Sequence, residues 1–172
     1  MPPASPPDSL PGAFMCDTLL FGPGRLPRFS VGPSRDKKNK AIIRRLYEEV
    51  WNQHNPEAAD EFVAADVFTR DMVPQHQHGL DGYKHLVRWL HTAIPDLHTA
   101  IEDIIAEGDK VATFVTLSGT HTGPLWDLAP SGRRVSVNHT HWFRLANGKV
   151  AETWSVRDDL GMMQQMKGRN SA

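Results

Sequence analysis

The stretch RRVSVNHTHWFRLANGKVAETWSVR, residues 133–157, reads as two strands joined by a tight turn. Val135, Val137, His139, His141, Phe143 and Leu145 recur at every second position, so a strand over 133–145 carries them on one face. Asn147-Gly148 is a dipeptide favoured where a two-residue hairpin demands positive φ. A return strand over 149–157 then places Val150, Glu152, Trp154 and Val156 on one face, with Asp158 next in phase. These mostly apolar faces are the inner ones by burial, and each carries ionisable groups toward one end.

Outward from this hairpin the same twofold period continues upstream. Residues 97–106 and 110–120 read as strands about a turn at Glu107-Gly108-Asp109, and Val111, Thr113, Val115, Leu117, Gly119 and His121 share the inner face of the second. Before Pro95 the period is helical. Ile42, Ile43, Leu46, Val50 and Trp51 mark a first helix that stops near Asn52–Pro56. Ala59, Phe62 and Val63 mark a short second helix after Pro56, and 67–73 looks extended. Asp81 is positioned to cap a third helix with Tyr83, Leu86, Val87, Leu90 and Ile94 on its buried stripe. A last helix spans 159–167. Helices first and antiparallel strands after them predict an α+β fold, a curved antiparallel sheet wrapped on N-terminal helices with a pocket in its mouth.

Residues 1–36 are different. They hold eight of the thirteen prolines, a density that leaves no helical or strand period, so they read as a disordered tail before a domain over 37–168 and a short tail at 169–172. Lys plus Arg number 19 and Asp plus Glu number 20, for a net charge of −1, which argues against a dedicated nucleic-acid binder. The single cysteine, Cys16, excludes an internal disulfide and a cysteine zinc site, and fits a reducing compartment, the cytoplasm. No apolar run is long enough for a membrane span. There is no G-x-S-x-G elbow, phosphate loop or G-x-G-x-x-G.

Ionisable groups converging on an apolar wall are candidates for shifted pKa values and chemistry. Here these are His121, His139, His141 and Asp158, with Trp51, Trp126, Phe143 and Trp154 as apolar neighbours in the pocket. Bland alternatives stand beside this reading. Asp158 or Asp159 has the position of a helix cap, His121 that of a loop residue, and a one-residue slip would turn His139 and His141 outward. A three-histidine zinc site from His121, His139 and His141 is the weaker reading, and no metal is assigned.

The segments Ile94-Pro95-Asp96-Leu97, Gly119-Thr120-His121-Thr122-Gly123 and Trp154-Ser155-Val156-Arg157-Asp158-Asp159-Leu160-Gly161 resemble signatures of the SnoaL-like polyketide cyclases and related ester cyclases. So does the opening helix from Asn39 to Gln53. The resemblance covers about 37–167. It implies an NTF2-like cone, often dimeric, with no required cofactor, that closes a ring by intramolecular aldol condensation. It also implies an acid–base aspartate at the position of Asp158 and an assisting histidine at His141. The Asn138-His139 pair and Trp126-Asp127 depart from the family pattern.

The function expected is therefore acid–base cyclisation of a polyketide-type carbonyl compound, with Asp158 as base and His121 and His141 as donors to developing oxyanions. Isomerase or epoxide-hydrolase chemistry, or a non-catalytic module for a hydrophobic ligand, are the alternatives. On the outer face, Phe114 and Trp142 are large aromatics among Ala112, Thr116, Ala151 and Thr153, with Arg144 and Arg157 as the charges. That face predicts a sheet-to-sheet homodimer.

Overall fold

The computed structural model describes residues 35–72, 74 and 77–169. Residues 1–34 and the last three residues lie outside the described residues, and with them most of the expected tail over 1–36; its last two residues, Arg35 and Asp36, instead open a helix.

Helix α1 (Arg35–Leu46) buries Ile43 and Leu46 and continues as a π-helix over Tyr47–Asn52. A 3-10 turn (Pro56–Ala58) with proline in its first turn leads into the short α2 (Ala59–Phe62). Val63, expected on that helix, instead opens strand β1 (Val63–Thr69), so the extended segment starts four residues earlier than 67. Helix α3 (Leu80–Ala93) is capped by Gly79 at φ 87°, with no side-chain cap. Asp81, expected as the cap, sits in the first turn, where its carboxylate favours the positive end of the helix dipole.

Strands β2 (His98–Glu107), β3 (Lys110–Thr120), β4 (Arg134–Ala146) and β5 (Lys149–Arg157) follow, and α4 (Asp159–Met166) closes the chain. The sheet order is β1-β5-β4-β3-β2; β1 runs parallel to β5 and every other pair is antiparallel. Asn147 and Gly148 both take positive φ, 52° and 78°, the geometry that hairpin needs. The α+β class and the curved sheet on N-terminal helices are as expected.

The β4 alternation also holds: Val135, Val137, His139, Phe143 and Leu145 are buried. The β5 alternation does not. Leu145 pairs with Val150 but Arg144 pairs with Glu152, so Ala151 is an extra residue, a β-bulge. Beyond it the faces swap. Thr153, Ser155 and Arg157 line the cavity. Glu152, expected inside, pairs on the other side with Arg144 at 3.0 Å and with Arg70. Thr153 and Arg157, expected outside, face in. The core between sheet and helices joins Ile43, Leu46, Val50 and Phe62 to Val87, Val115, Val150 and Met162. Among the described residues no helix is long and apolar enough to cross a membrane.

Candidate functional site

The π-helix sets one wall of the site. Its wide turn buries Tyr47, Val50 and Trp51 together, and Tyr47 and Trp51 reach a cavity of about 360 Å³. Strand β4 supplies His139, His141 and Phe143 to the same cavity; past its bulge β5 supplies Thr153, Ser155 and Arg157. Helix α3 adds Tyr83, Leu86, Trp89 and Leu90, and Trp126 closes in from the loop after β3 at φ 50°. Apolar walls with a few placed polar groups are the usual make-up of a small-molecule site.

Deep in the cavity, Tyr47 Oη lies 3.0 Å from Thr113 Oγ1 and 3.0 Å from His141 Nδ1. Trp51 Nε1–H donates to Tyr83 Oη at 3.1 Å. Burial pushes both phenols up, so they stay protonated at neutral pH. The His139 and His141 ring centroids are 5.7 Å apart. Burial, then the neighbouring His139 and Arg157, pull His141 down to about 3. Burial also lowers His139, with Arg157 helping and Asp159 and Asp158 opposing. Both imidazoles are therefore neutral at pH 7. The Nε2 of each, and Thr69 Oγ1, are sheltered from solvent without a hydrogen-bond partner among the described residues.

A second polar group lies nearer the edge. Asp71 Oδ2 accepts the Ser155 backbone N–H and, at 2.8 Å, the Ser155 hydroxyl. Arg157 donates to Ser155 Oγ at 3.1 Å and lies 3.4 Å from Asp159. Among the described residues, Asp71 and Asp159 are the carboxylates on the cavity lining. Ser155 is the cross-strand partner of His141, so the Asp71 carboxylate is held beside the strand position opposite that imidazole.

Three residues singled out from the sequence lie elsewhere. Asp158 is the N-cap of α4: its Oδ1 accepts Gly161 N–H at 2.8 Å, and it is not on the lining. His121 is fully buried in the loop after β3, its Nδ1 3.0 Å from Ser131 Oγ, away from the cavity. Trp154 is turned outward by the bulge and stacks on Trp142 at 6.1 Å and 7°. His139, His141, Trp51, Trp126 and Phe143 do line the cavity. Among the described residues no group of three His, Cys, Asp or Glu side chains is arranged to hold a metal ion. Sequence reading missed Tyr47, Asp71, Ser155, Arg157 and Asp159. The strand residues among these needed the bulge, and Asp71 needed the fold of the segment after β1.

An α+β cone enclosing an apolar cavity with neutral imidazoles on its wall is a small-molecule pocket of the NTF2-like class. The chain belongs to the SnoaL-like polyketide cyclase family, whose sequence model matches residues 41–166. It is similar to nogalonic acid methyl ester cyclase of Streptomyces nogalater, 24% identical over 67% of this chain and 88% of that protein. It is also similar to aklanonic acid methyl ester cyclase DnrD of Streptomyces peucetius, 26% identical over 73% of this chain and 88% of that one. Among solved structures, TsrD from Streptomyces laurentii matches 75% of this chain and 94% of its own at 26% identity, with a TM-score of 0.70.

Proposed function

We propose that this protein catalyses an acid–base intramolecular aldol cyclisation of a polyketide-type carbonyl compound. The observation that carries the reading is the pair of sheltered, unpartnered Nε2 atoms of His139 and His141 in an apolar cavity that also takes the Asp71 carboxylate. Aldol closure removes a proton from a carbon flanked by carbonyls, forms one C–C bond, and returns a proton to the new alkoxide. The product keeps the mass of the substrate.

Asp71 is assigned as the base in place of Asp158. Its Oδ2 is anchored on Ser155, opposite His141, whereas both oxygens of Asp158 face Gly161, where an added Cβ would meet them within 2.7 Å. Asp159 is less suited, because its Oδ2 lies against the Arg157 guanidinium at 3.4 Å. His141, and His139 beside it, donate to the enolate and alkoxide oxygens as neutral imidazoles in a low-dielectric site, where preorganised donors are strongest. The apolar walls from Trp51, Leu90 and Phe143 take the carbon skeleton.

The test uses nogalonic acid methyl ester and aklanonic acid methyl ester, the compounds named in the relatives. Conversion of either to a cyclised product of unchanged mass is expected. Binding of both without conversion would turn the reading into the alternative, a ligand-binding module.

We also infer that the outer sheet face is a homodimer interface. The Trp142–Trp154 stack lies on it, with Phe114, Ile105 and Val156 at 43%, 60% and 71% exposure, and apolar surface of that kind marks a contact site. Sedimentation should give a dimer at micromolar concentration. A single 19.2 kDa species would contradict it.

A further inference from the structure

Tyr47 is 2% exposed, and its one hydroxyl faces two partners at the same distance, Thr113 Oγ1 and His141 Nδ1, each 3.0 Å away. A phenol has one proton to give and lone pairs to accept with. The chain Thr113–Tyr47–His141 therefore runs in one of two directions. In the first, the Thr113 hydroxyl donates to Tyr47 Oη and the Tyr47 hydroxyl donates to His141 Nδ1; the imidazole proton is then on Nε2. In the second, His141 Nδ1–H donates to Tyr47, Tyr47 to Thr113, and Thr113 to the His141 carbonyl at 3.4 Å; Nε2 is then bare.

The first direction wins on two counts. It gives the phenol, the better proton donor of the pair, to the imidazole sp² nitrogen, the better acceptor. The second direction gains only the 3.4 Å contact, well beyond the roughly 2.5–3.0 Å of a good O–H···O bond. Burial favours the neutral phenol, which keeps its proton available for Nδ1. We propose that Tyr47 is a positioning residue that holds His141 in the Nε2–H form, so that the cavity wall offers a fixed donor to a ligand oxygen. That donor is sheltered and unpartnered, and a buried donor left unmade is costly, so a carbonyl or enolate oxygen is the group that fits it. The rings on either side keep the imidazole in place: Tyr47 at 6.1 Å and Phe143 at 6.3 Å from its centroid. Tyr47 and Trp51 lie in the same π-turn, and both face the cavity.

The role assigned to the donor rests on the cyclase reading, but the tautomer is measured without turnover, so the two fail separately. Two-bond ¹H–¹⁵N correlation spectra of the histidine rings in the full-length chain at neutral pH report which nitrogen carries the proton. His141→Asn assigns the signal. His141 is expected wholly as Nε2–H; a wild-type Nδ1–H form overturns the proposal. In Tyr47→Phe the single form should give way to a mixture, and a folded variant that stays wholly Nε2–H removes Tyr47 from the role. Thr113→Val should leave the tautomer unchanged, because Tyr47 still donates to Nδ1. A shift to Nδ1–H there shows that Thr113, and not Tyr47, fixes the tautomer and overturns the assignment to Tyr47. If Tyr47→Phe does not fold, the wild-type and Thr113→Val spectra decide.

Discussion

Strands β4 and β5 are neighbours in one hairpin, and the two read differently. Along β4 strict alternation runs from Val135 to Leu145, and the inner face is the one the period predicts. Along β5 one extra residue, Ala151, moves every side chain after it to the other face. Thr153, Ser155 and Arg157 thus enter the cavity, and Glu152 and Trp154 leave it. The apolar residues of β5 do not announce this, because Trp154 and Val156 are as apolar as any core residue. Trp154 finds partners outside, Trp142 and the Arg70 guanidinium, 5.4 Å from its ring, while Val156 stays 71% exposed. A half-buried strand is legible only while its register is unbroken.

The comparison is broken most severely by deleting Thr153, past the bulge. If the bulge is kept, Trp154 turns inward opposite Phe143 and Ser155 leaves the cavity; if the bulge is lost, Glu152 turns inward there, away from Arg144 and Arg70. We expect a loss of about 4 kcal/mol or more, with no turnover. Deleting Ala151 instead removes the extra residue and keeps Glu152 opposite Arg144 and Thr153 opposite Phe143, so it should cost far less. Urea unfolding checks both; equal losses would show that Ala151 is not the extra residue.

Next in size is a pair of aromatic truncations at the two strands. Phe143→Ala, on the inner face of β4 at 3% exposure, should cost about 3–5 kcal/mol. Trp154→Ala, on the outer face of β5, should cost the monomer fold about 1 kcal/mol, the worth of an aromatic pair. Equal losses would sharpen the case for Trp154 as an interface residue. Smaller again is the cap at the end of β5. Asp158→Ala should cost about 1 kcal/mol, while Asp158→Asn, also a good cap, should cost little. Melting temperatures of the two variants separate these outcomes.

A separate test of β4 is acid sensitivity. His141 and His139 titrate lower in the folded chain than in the unfolded one, so the native state favours their neutral forms. Their contribution is intact above the unfolded value of about 6.5 and is lost as pH falls from there toward the folded value, about 3 for His141. The melting temperature should therefore begin to fall between roughly pH 6.5 and 5, before carboxylates such as Asp96 and Glu152 enter. His141→Asn should flatten that early limb; an unchanged slope would mean that its burial is not what the pH profile reports.

Most of the fold was legible because period and punctuation carry it: the helical stripe of Ile43, Leu46 and Val50, the Asn147-Gly148 turn, and alternation along β3 and β4. The site was legible where it rides on those strands, at His139, His141 and Phe143. It was hidden where it depends on long-range geometry. Asp71 reaches the cavity by bonding Ser155, 84 positions away, and no local pattern marks that contact. Tyr47 falls on the helical stripe between Ile43 and Trp51, and no local pattern marks its bond to His141, 94 positions away. Asp158 has the residue type of both a base and a cap, and in the structure its Oδ1 accepts the Gly161 N–H.

The central claim, that catalysis comes from the Asp71–His141 side of the cavity and not from the helix cap, is tested most directly by one paired assay. Asp71→Asn and Asp158→Asn are compared with wild type for turnover of the same methyl ester substrate, after circular dichroism shows each folded. The account predicts that Asp71→Asn loses about 10²–10⁴-fold in kcat, the usual worth of a general base, and that Asp158→Asn stays within about threefold of wild type. A folded Asp158→Asn that loses activity, beside an Asp71→Asn that keeps it, would contradict the account and return the base to the cap.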